Sequence, residues 1–198
     1  MSSASSSLTE ALRAVLLDPA EAAARDVHGR TEAAVLVPLY VADGELHAVF
    51  TRRRDDMRRH PGEISFPGGR RDEGEDDLRV TALREAEEEI GLPREAVQLL
   101  GALAPTPTVA TNYAVYPYVG LIEPGREWTI SAREVDAVLE LRLTDLRAGH
   151  GRRRLLRRGV PFRTDVYAVG EQLIWGATAR MVADLLDRVG PLLDRDAA

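Results

Sequence analysis

Apolar residues recur along the chain with two different periods, and the switches between those periods mark the elements. Leu8, Leu12, Val15 and Leu16 share one helical stripe, with Ser7 or Thr9 placed to cap it, and the small polar residues 1–7 ahead of it predict a disordered end. From Ala33 the run AAVLVPLYV predicts a buried strand, and Asp43-Gly44 predicts a hairpin turn into LHAVFTRR. The polar loop RRDDMRRHPGE then leads to the short apolar run Ile64-Ser65-Phe66, after which Pro67-Gly68-Gly69 predicts a sharp turn.

The segment LRVTALREAEEEIG carries the strongest helical pattern, with Asp76 or Asp77 as its cap and Gly91 positioned to end it in the left-handed conformation. Leu83, Ala86 and Ile90 form its apolar side with Ala82 at the margin, and the opposite side is acidic. VQLLGALAP, YAVYPYVGLI, VDAVLELRL and PFRTDVYAVG predict further strands, whereas TDLRAGHGRRRLLRRG reads as a basic loop. Leu173-Ile174-Trp175 enters a final helix near Thr178–Val189, which sets Met181, Val182, Leu185 and Val189 against a core. Strands on both sides of two substantial helices predict an α/β sandwich whose sheet supports the acidic helix.

With 198 residues, 44% of them apolar, residues 8–198 make one domain large enough for a sizeable core. A net charge of −6 argues against a nonspecific coat for nucleic acid. All 26 basic residues are Arg, which reads as coding composition rather than mechanism. The absence of cysteine excludes disulfides, thiolate metal sites and a cysteine nucleophile. No basic-then-apolar leader and no membrane-length apolar stretch is present, so a soluble cytoplasmic protein without membrane partners is expected.

Glu85, Glu88 and Glu89, at i, i+3 and i+4, project from one side of the helix. Like charges so close repel by a few tenths of a kcal/mol per pair, on the order expected for helix neighbours. A hard divalent cation converts that repulsion into binding. The helix alone also fits a solvated acidic face. Its surroundings favour the metal reading: a Gly-rich turn lies just upstream, and Arg84 stands beside the first acid.

This constellation resembles the box of the Nudix hydrolase family, in which Gly, five residues, Glu and seven residues precede Arg-Glu-apolar-x-Glu-Glu-x-Gly-apolar. Arg84-Glu85-Ala86-Glu87-Glu88-Glu89-Ile90-Gly91-Leu92 matches the second half without a gap. The first half is longer by one residue, so that counting from Gly69 gives Glu75 and counting back from Arg84 gives Asp76. The resemblance implies an α/β/α sandwich with a mixed sheet and a loop–helix–loop catalytic motif. It further implies Mg²⁺ or Mn²⁺ on Glu85, Glu88 and Glu89, ordering of the unit by Arg84, a close backbone approach at Gly69 and a motif glycine at Gly91. Glu89 is the first candidate for general base and Glu134, from another loop, the second.

Thr51, Arg53, Met57, Arg58, His60, Gly62 and Ile64-Ser65-Phe66-Pro67-Gly68-Gly69 resemble the extended signature of the coenzyme A diphosphatase branch, as do YPYVGLI and IWGATARMVADLL. Arg54, where that branch often has Ser, and ATNYAV, where it often has Gly-Phe, depart from it. The branch resemblance implies hydrolysis of CoA or an acyl derivative to 3′,5′-ADP and 4′-phosphopantetheine or its acyl form. Arg53, Arg58, His60, Gly68 and Gly69 are the candidate substrate contacts; a solvated basic face competes for Arg53 and Arg58, and a loop-structuring role is favoured for His60. Arg52, Arg53, Arg54, Arg58 and Arg59 offer an anion clamp, although strand alternation turns Arg52 and Arg54 away from Arg53.

Two other readings compete: a broader nucleoside-diphosphate-linked hydrolase, and a noncatalytic nucleotide-binding regulatory module. The Arg152–Arg158 run lacks interleaved aromatics and reads as a solvated loop, so nucleic acid is not an expected partner. Tyr113, Tyr116 and Tyr118 read as sheet packing, Tyr113 being nearest the pocket, and Trp175 as core or interface. Two-fold symmetry is the commonest for soluble oligomers, which makes a homodimer the assembly to test.

Overall fold

The computed structural model describes residues 3–25, 27–54, 62–108, 112–157 and 160–194. The stripe starting at Leu8 belongs to α1 (Ser3–Val15), which extends back through residues read as a disordered end. Once a turn exists, each added residue gains a hydrogen bond at small cost, so the serines follow. Ser7 and Thr9 accordingly lie inside the helix rather than at its cap. The short α2 (Pro19–Ala23) is capped by Asp18, whose side chain accepts from the N–H groups of Ala20 and Glu21.

β1 (Thr31–Ala42) and β2 (Glu45–Arg53) form the expected hairpin. Asp43 and Gly44 have φ of 52° and 78°, the positive pair that a two-residue type I′ turn demands. β3 (Ile64–Ser65) pairs with the end of β2. Where the sequence predicts a sharp turn, Gly68–Arg70 instead runs as β4, antiparallel to β1. A Cβ on Gly68 would strike the Ala34 carbonyl and Val35, so these glycines serve close strand approach and not chain reversal.

The acidic helix is α3 (Leu78–Ile90), followed by β5 (Gln98–Ala102), β6 (Thr106–Pro107), β7 (Tyr113–Leu121) and β8 (Val135–Arg142). The basic segment read as a loop is ordered: it forms α4 (Leu143–Ala148) and β9 (His150–Arg157). Leu143 and Leu146 bury together on one turn of α4. Pairing with β10 (Val160–Val169) satisfies the backbone of β9 while Arg152, Arg153 and Arg154 stay exposed, so a sheet edge has the composition of a loop. Leu173-Ile174-Trp175 lies in β11 (Gln172–Trp175), paired with β10, and α5 (Gly176–Leu193) starts only after it.

The larger sheet runs β3-β2-β1-β7-β5, with β8 on β2, β4 on β1 and β6 on β7. It is mixed, because β1 and β7 are parallel and the remaining pairs antiparallel. β1 is buried on both faces. Ala33, Val35, Val37 and Leu39 join a core with Leu12 of α1 and Met181, Val182, Leu185 and Val189 of α5. Ala34, Leu36 and Tyr40 join another with Ala82, Ala86 and Ile90 of α3. Helices thus cover both faces of the sheet, giving an α/β/α sandwich. The small sheet β11-β10-β9 adds Tyr167 and Ile174 to the first core.

Candidate active site

Asp77 starts α3 by accepting from the Arg79 N–H at 2.9 Å, and Gly91 ends it at φ 67°, with its own N–H on the Glu87 carbonyl. The buried face consists of Leu78, Thr81, Ala82, Ala86, Glu89 and Ile90. Ala82 is therefore central and Leu83, half-buried, marginal, the reverse of the sequence reading. Position 89 falls on the stripe that packs against the sheet, and this drives a carboxylate inside: Glu89 is only 4% exposed.

Glu85, Glu88 and Glu89 line one cavity of 850 Å³ with Arg53, Glu134, Gly68 and Gly69. Glu89 Oε2 accepts from the Gly68 N–H at 3.3 Å. Burial, with further contributions from Glu85 and Glu134, pushes the Glu89 pKa up to about 8 against the opposing pull of Arg53. Burial also raises the pKa of Glu85, while its bond to Arg84 opposes the rise.

Arg84 organises the acids around it. Its Nε donates to Glu75 Oε1 at 2.9 Å, its Nη1 to Glu85 Oε1 at 2.9 Å and Glu88 Oε2 at 3.3 Å, and its Nη2 to the Arg70 carbonyl at 3.2 Å. Glu75 also accepts from Thr81 Oγ1 at 2.6 Å and from the Asp72 N–H at 3.1 Å. Its bond to Arg84, more than any other influence, holds its pKa down to about 2. Of the two front acids open in the sequence, Glu75 is thus the one joined to Arg84, and Asp76 is exposed. Thr81 carries no motif signal beyond being a polar residue on a buried stripe.

Gly69 makes room for chemistry. The space its Cβ would fill is taken by the Glu85 carboxylate. The loop after β7 is fastened to the end of α3 by bonds from the Thr129 N–H to the Ile90 carbonyl (3.2 Å) and from the Ser131 N–H to the Glu89 carbonyl (2.9 Å). Glu134, whose N–H donates to the Ser131 carbonyl, thereby reaches the same cavity, 4.0 Å from Arg53 Nη2. Arg53 Nε is buried and has no hydrogen-bond partner among the described residues.

Other expectations divide. Met57, Arg58, Arg59 and His60 lie outside the described residues. Arg52 is committed to Asp136 of β8 at 2.5 Å and Arg54 donates to the Ala132 carbonyl in the loop before β8 at 2.6 Å; of the three, Arg53 is the one that lines the cavity. Tyr116 and Tyr118 pack in the α3-side core as expected, whereas Tyr113 and Trp175 line the cavity. The sequence favours core or interface for Trp175 over the substrate site, because its placement at the cavity depends on β11 pairing with β10. Phe162 and Arg163, which no motif flags, line the cavity with it, as does Arg180 of the IWGATARMVADLL segment.

The donor chemistry suits a hard divalent cation. Among the described residues, Glu89 is a buried carboxylate with a single backbone donor on one oxygen, and Arg84 engages one oxygen each of Glu85 and Glu88. Among the described residues no three such groups are gathered ready-made around one point. In this arrangement the guanidinium of Arg84 supplies the compensating charge.

Fold and acid-lined cleft together define a hydrolase of the α/β/α sandwich class. A NUDIX domain model matches residues 30–158. An uncharacterized Nudix hydrolase NudL of Enterobacter sp. (strain 638) is 38% identical over 168 residues, covering 84% of this chain and 86% of the relative. A NudL of Escherichia coli O7:K1 (strain IAI39 / ExPEC) is 36% identical over 170 residues, with 84% and 86% covered. A MutT/nudix family protein from Enterococcus faecalis shares the fold at TM-score 0.54 and 15% identity, over 84% of this chain and 64% of that one. The chain belongs to the Nudix hydrolase family, and hydrolysis of a nucleotide-diphosphate linkage is the activity these likenesses support. No helix among the described residues is long and apolar enough to cross a membrane.

Proposed function

We propose that the protein hydrolyses a diphosphate linkage in a nucleotide-containing substrate with the help of a divalent cation, and that CoA or an acyl-CoA is the substrate within this class. The observation that carries the hydrolase reading is the burial of Glu89 beside Glu85 and Glu134 in a cavity of 850 Å³. Glu85, Glu88 and Glu89 would hold Mg²⁺ or Mn²⁺, which when bound neutralises diphosphate charge and acidifies a water. Glu89, buried at the cavity, is the first candidate to take the proton of the attacking water, and Glu134, which lines the same cavity, is the second. As the water oxygen bonds to phosphorus, the bridging P–O bond breaks and its electron pair leaves with the departing phosphate. Arg84 is a positioning residue: its bonds to Glu75, Glu85 and Glu88 fix the acids in relation to the Gly69 strand.

The CoA reading rests on the Thr51–Gly69 segment. Within its described part, Thr51 is buried and donates to the Ser65 carbonyl at 3.3 Å, which holds β2 to β3 beside the cavity. The test is a substrate panel with Mg²⁺ in which products are identified by mass. Formation of 3′,5′-ADP and 4′-phosphopantetheine from CoA is expected. Intact CoA beside efficient cleavage of ADP-ribose or another nucleotide would move the protein to the broader class. Tight nucleotide binding with no turnover on any member would leave a noncatalytic module.

A further inference from the structure

The family match ends at residue 158, yet one wall of the cavity is built beyond it. Phe162 and Arg163 come from β10, Trp175 from the end of β11, and Arg180 from the first turns of α5. The Phe162 and Trp175 rings have centroids 6.0 Å apart and planes inclined by 50°, so together they form an angled aromatic surface.

Arg180 donates to the Pro107 carbonyl, and among the described residues no carboxylate pairs with it. Burial alone lowers its pKa, whereas Glu75 and Glu85 raise that of Arg84. Arg180 lines the cavity with no carboxylate paired to it among the described residues, Glu85 and Glu88 of the same cavity being bonded to Arg84, and Glu89 and Glu134 being carried on α3 and the loop before β8. An incoming anion would supply that partner. Arg163 stands directly across the β9–β10 ladder from Arg154, so like charges meet on that side as well. The cavity therefore has two poles, carboxylates on α3 and an aromatic, cationic surface on β10–β11–α5.

Building on the nucleotide-diphosphate reading above, we propose that this second pole is the nucleotide-reading subsite: Trp175 and Phe162 receive a planar base, and Arg180 with Arg163 receives a phosphate carried on the ribose in addition to the diphosphate. The diphosphate itself belongs at the acidic pole with the cation, which leaves these arginines for a separate anion. The ligand class is thus a nucleotide with a second phosphorylated position. Neither the family box nor the Thr51–Gly69 segment contains any of these four residues; Trp175 and Arg180 fall in the IWGATARMVADLL segment, and Phe162 and Arg163 in none of the motifs.

Trp128 and Trp175 are the chain's 2 tryptophans, which gives a readout independent of turnover. A Trp128→Phe protein is titrated, without metal, with adenosine 3′,5′-bisphosphate and with AMP while the fluorescence of Trp175 is followed. Both ligands are expected to quench it, the bisphosphate binding about tenfold more tightly, as one added charge-assisted contact implies. In Arg180→Gln that ratio should fall close to one, and in Arg180→Lys most of it should remain; thermal melts establish that each variant is folded. If Arg180→Gln proves unfolded, Arg163→Gln takes its place and should lower the ratio about threefold. Absence of quenching, equal affinities in the parent, or a ratio indifferent to these substitutions would overturn the subsite. Because no product is measured, an inactive enzyme and an absent subsite give different results.

Discussion

Glu89 carries a carboxylate into the interior because its position on α3 belongs to the buried stripe, and the cavity is what makes that tolerable. An unfolded Glu titrates near 4.3, and the folded one at about 8. Between those values the native chain keeps a proton that the unfolded chain has released. The contribution is therefore fully present below about pH 4.3 and is lost as pH rises through 8. In chelator, Glu89→Gln should melt above wild type by roughly 4 °C or more at pH 8.5, with the gap closing near pH 4.5. It should also lower turnover by about 10²–10⁴-fold. A melting gap that ignores pH would contradict the assignment. Glu75 has the opposite sign. Its folded pKa is about 2, so its stabilisation is present above the unfolded value and disappears as pH falls through 2. Glu75→Gln should cost on the order of 1.5–3 kcal/mol at pH 7, the range for a hydrogen bond to a charged group, and denaturant melts between pH 7 and 3 should show the difference shrinking.

At the scale of elements, adjacent glycines of β4 separate stability from chemistry. Gly68 abuts the backbone of β1, which cannot retreat, whereas Gly69 abuts the end of the Glu85 side chain, which can. Gly68→Ala should therefore destabilise the fold by about 1–3 kcal/mol, as overpacking does. Gly69→Ala should fold with a nearly unchanged melt yet lose activity by roughly 10²-fold, the cost of displacing a site group by about 1 Å. Equal melting losses in the two variants would remove the distinction. The pattern of apolar residues made α3, its Gly91 end and the β1–β2 hairpin readable, because each depends on near neighbours, and narrowed the helix cap to Asp76 or Asp77, of which the structure uses Asp77. It misled at Gly68–Arg70 and at His150–Arg157. In both segments, pairing with a strand distant in sequence satisfies a backbone whose own side chains look like turn or loop.

Across the whole molecule, the sheet brings carboxylates from α3 and from the loop before β8 to one cavity, where the pull of Arg53 does not offset the burial of Glu89. A divalent ion that binds only this folded arrangement should stabilise it by about 2.7 kcal/mol at a hundredfold excess over its Kd, or a melting rise of about 5–10 °C. Mg²⁺ titration by calorimetry and melting at pH 8 checks this. The rise should vanish in Glu85→Gln/Glu88→Gln/Glu89→Gln, and chelator should abolish turnover of wild type. A rise of equal size in the triple variant would place the ion elsewhere. The sequence by itself determined the acidic helix, its capping and the spacing that aligns Glu85, Glu88 and Glu89, since a helix fixes the relations among residues three and four apart. Only the tertiary structure decided that Glu75 and not Asp76 meets Arg84, that Arg52 bonds Asp136 and Arg54 the Ala132 carbonyl, and that Phe162, Trp175 and Arg180 line the same cavity as the acids. Those relations join positions far apart along the chain, and only the packing of sheets and helices brings such positions together.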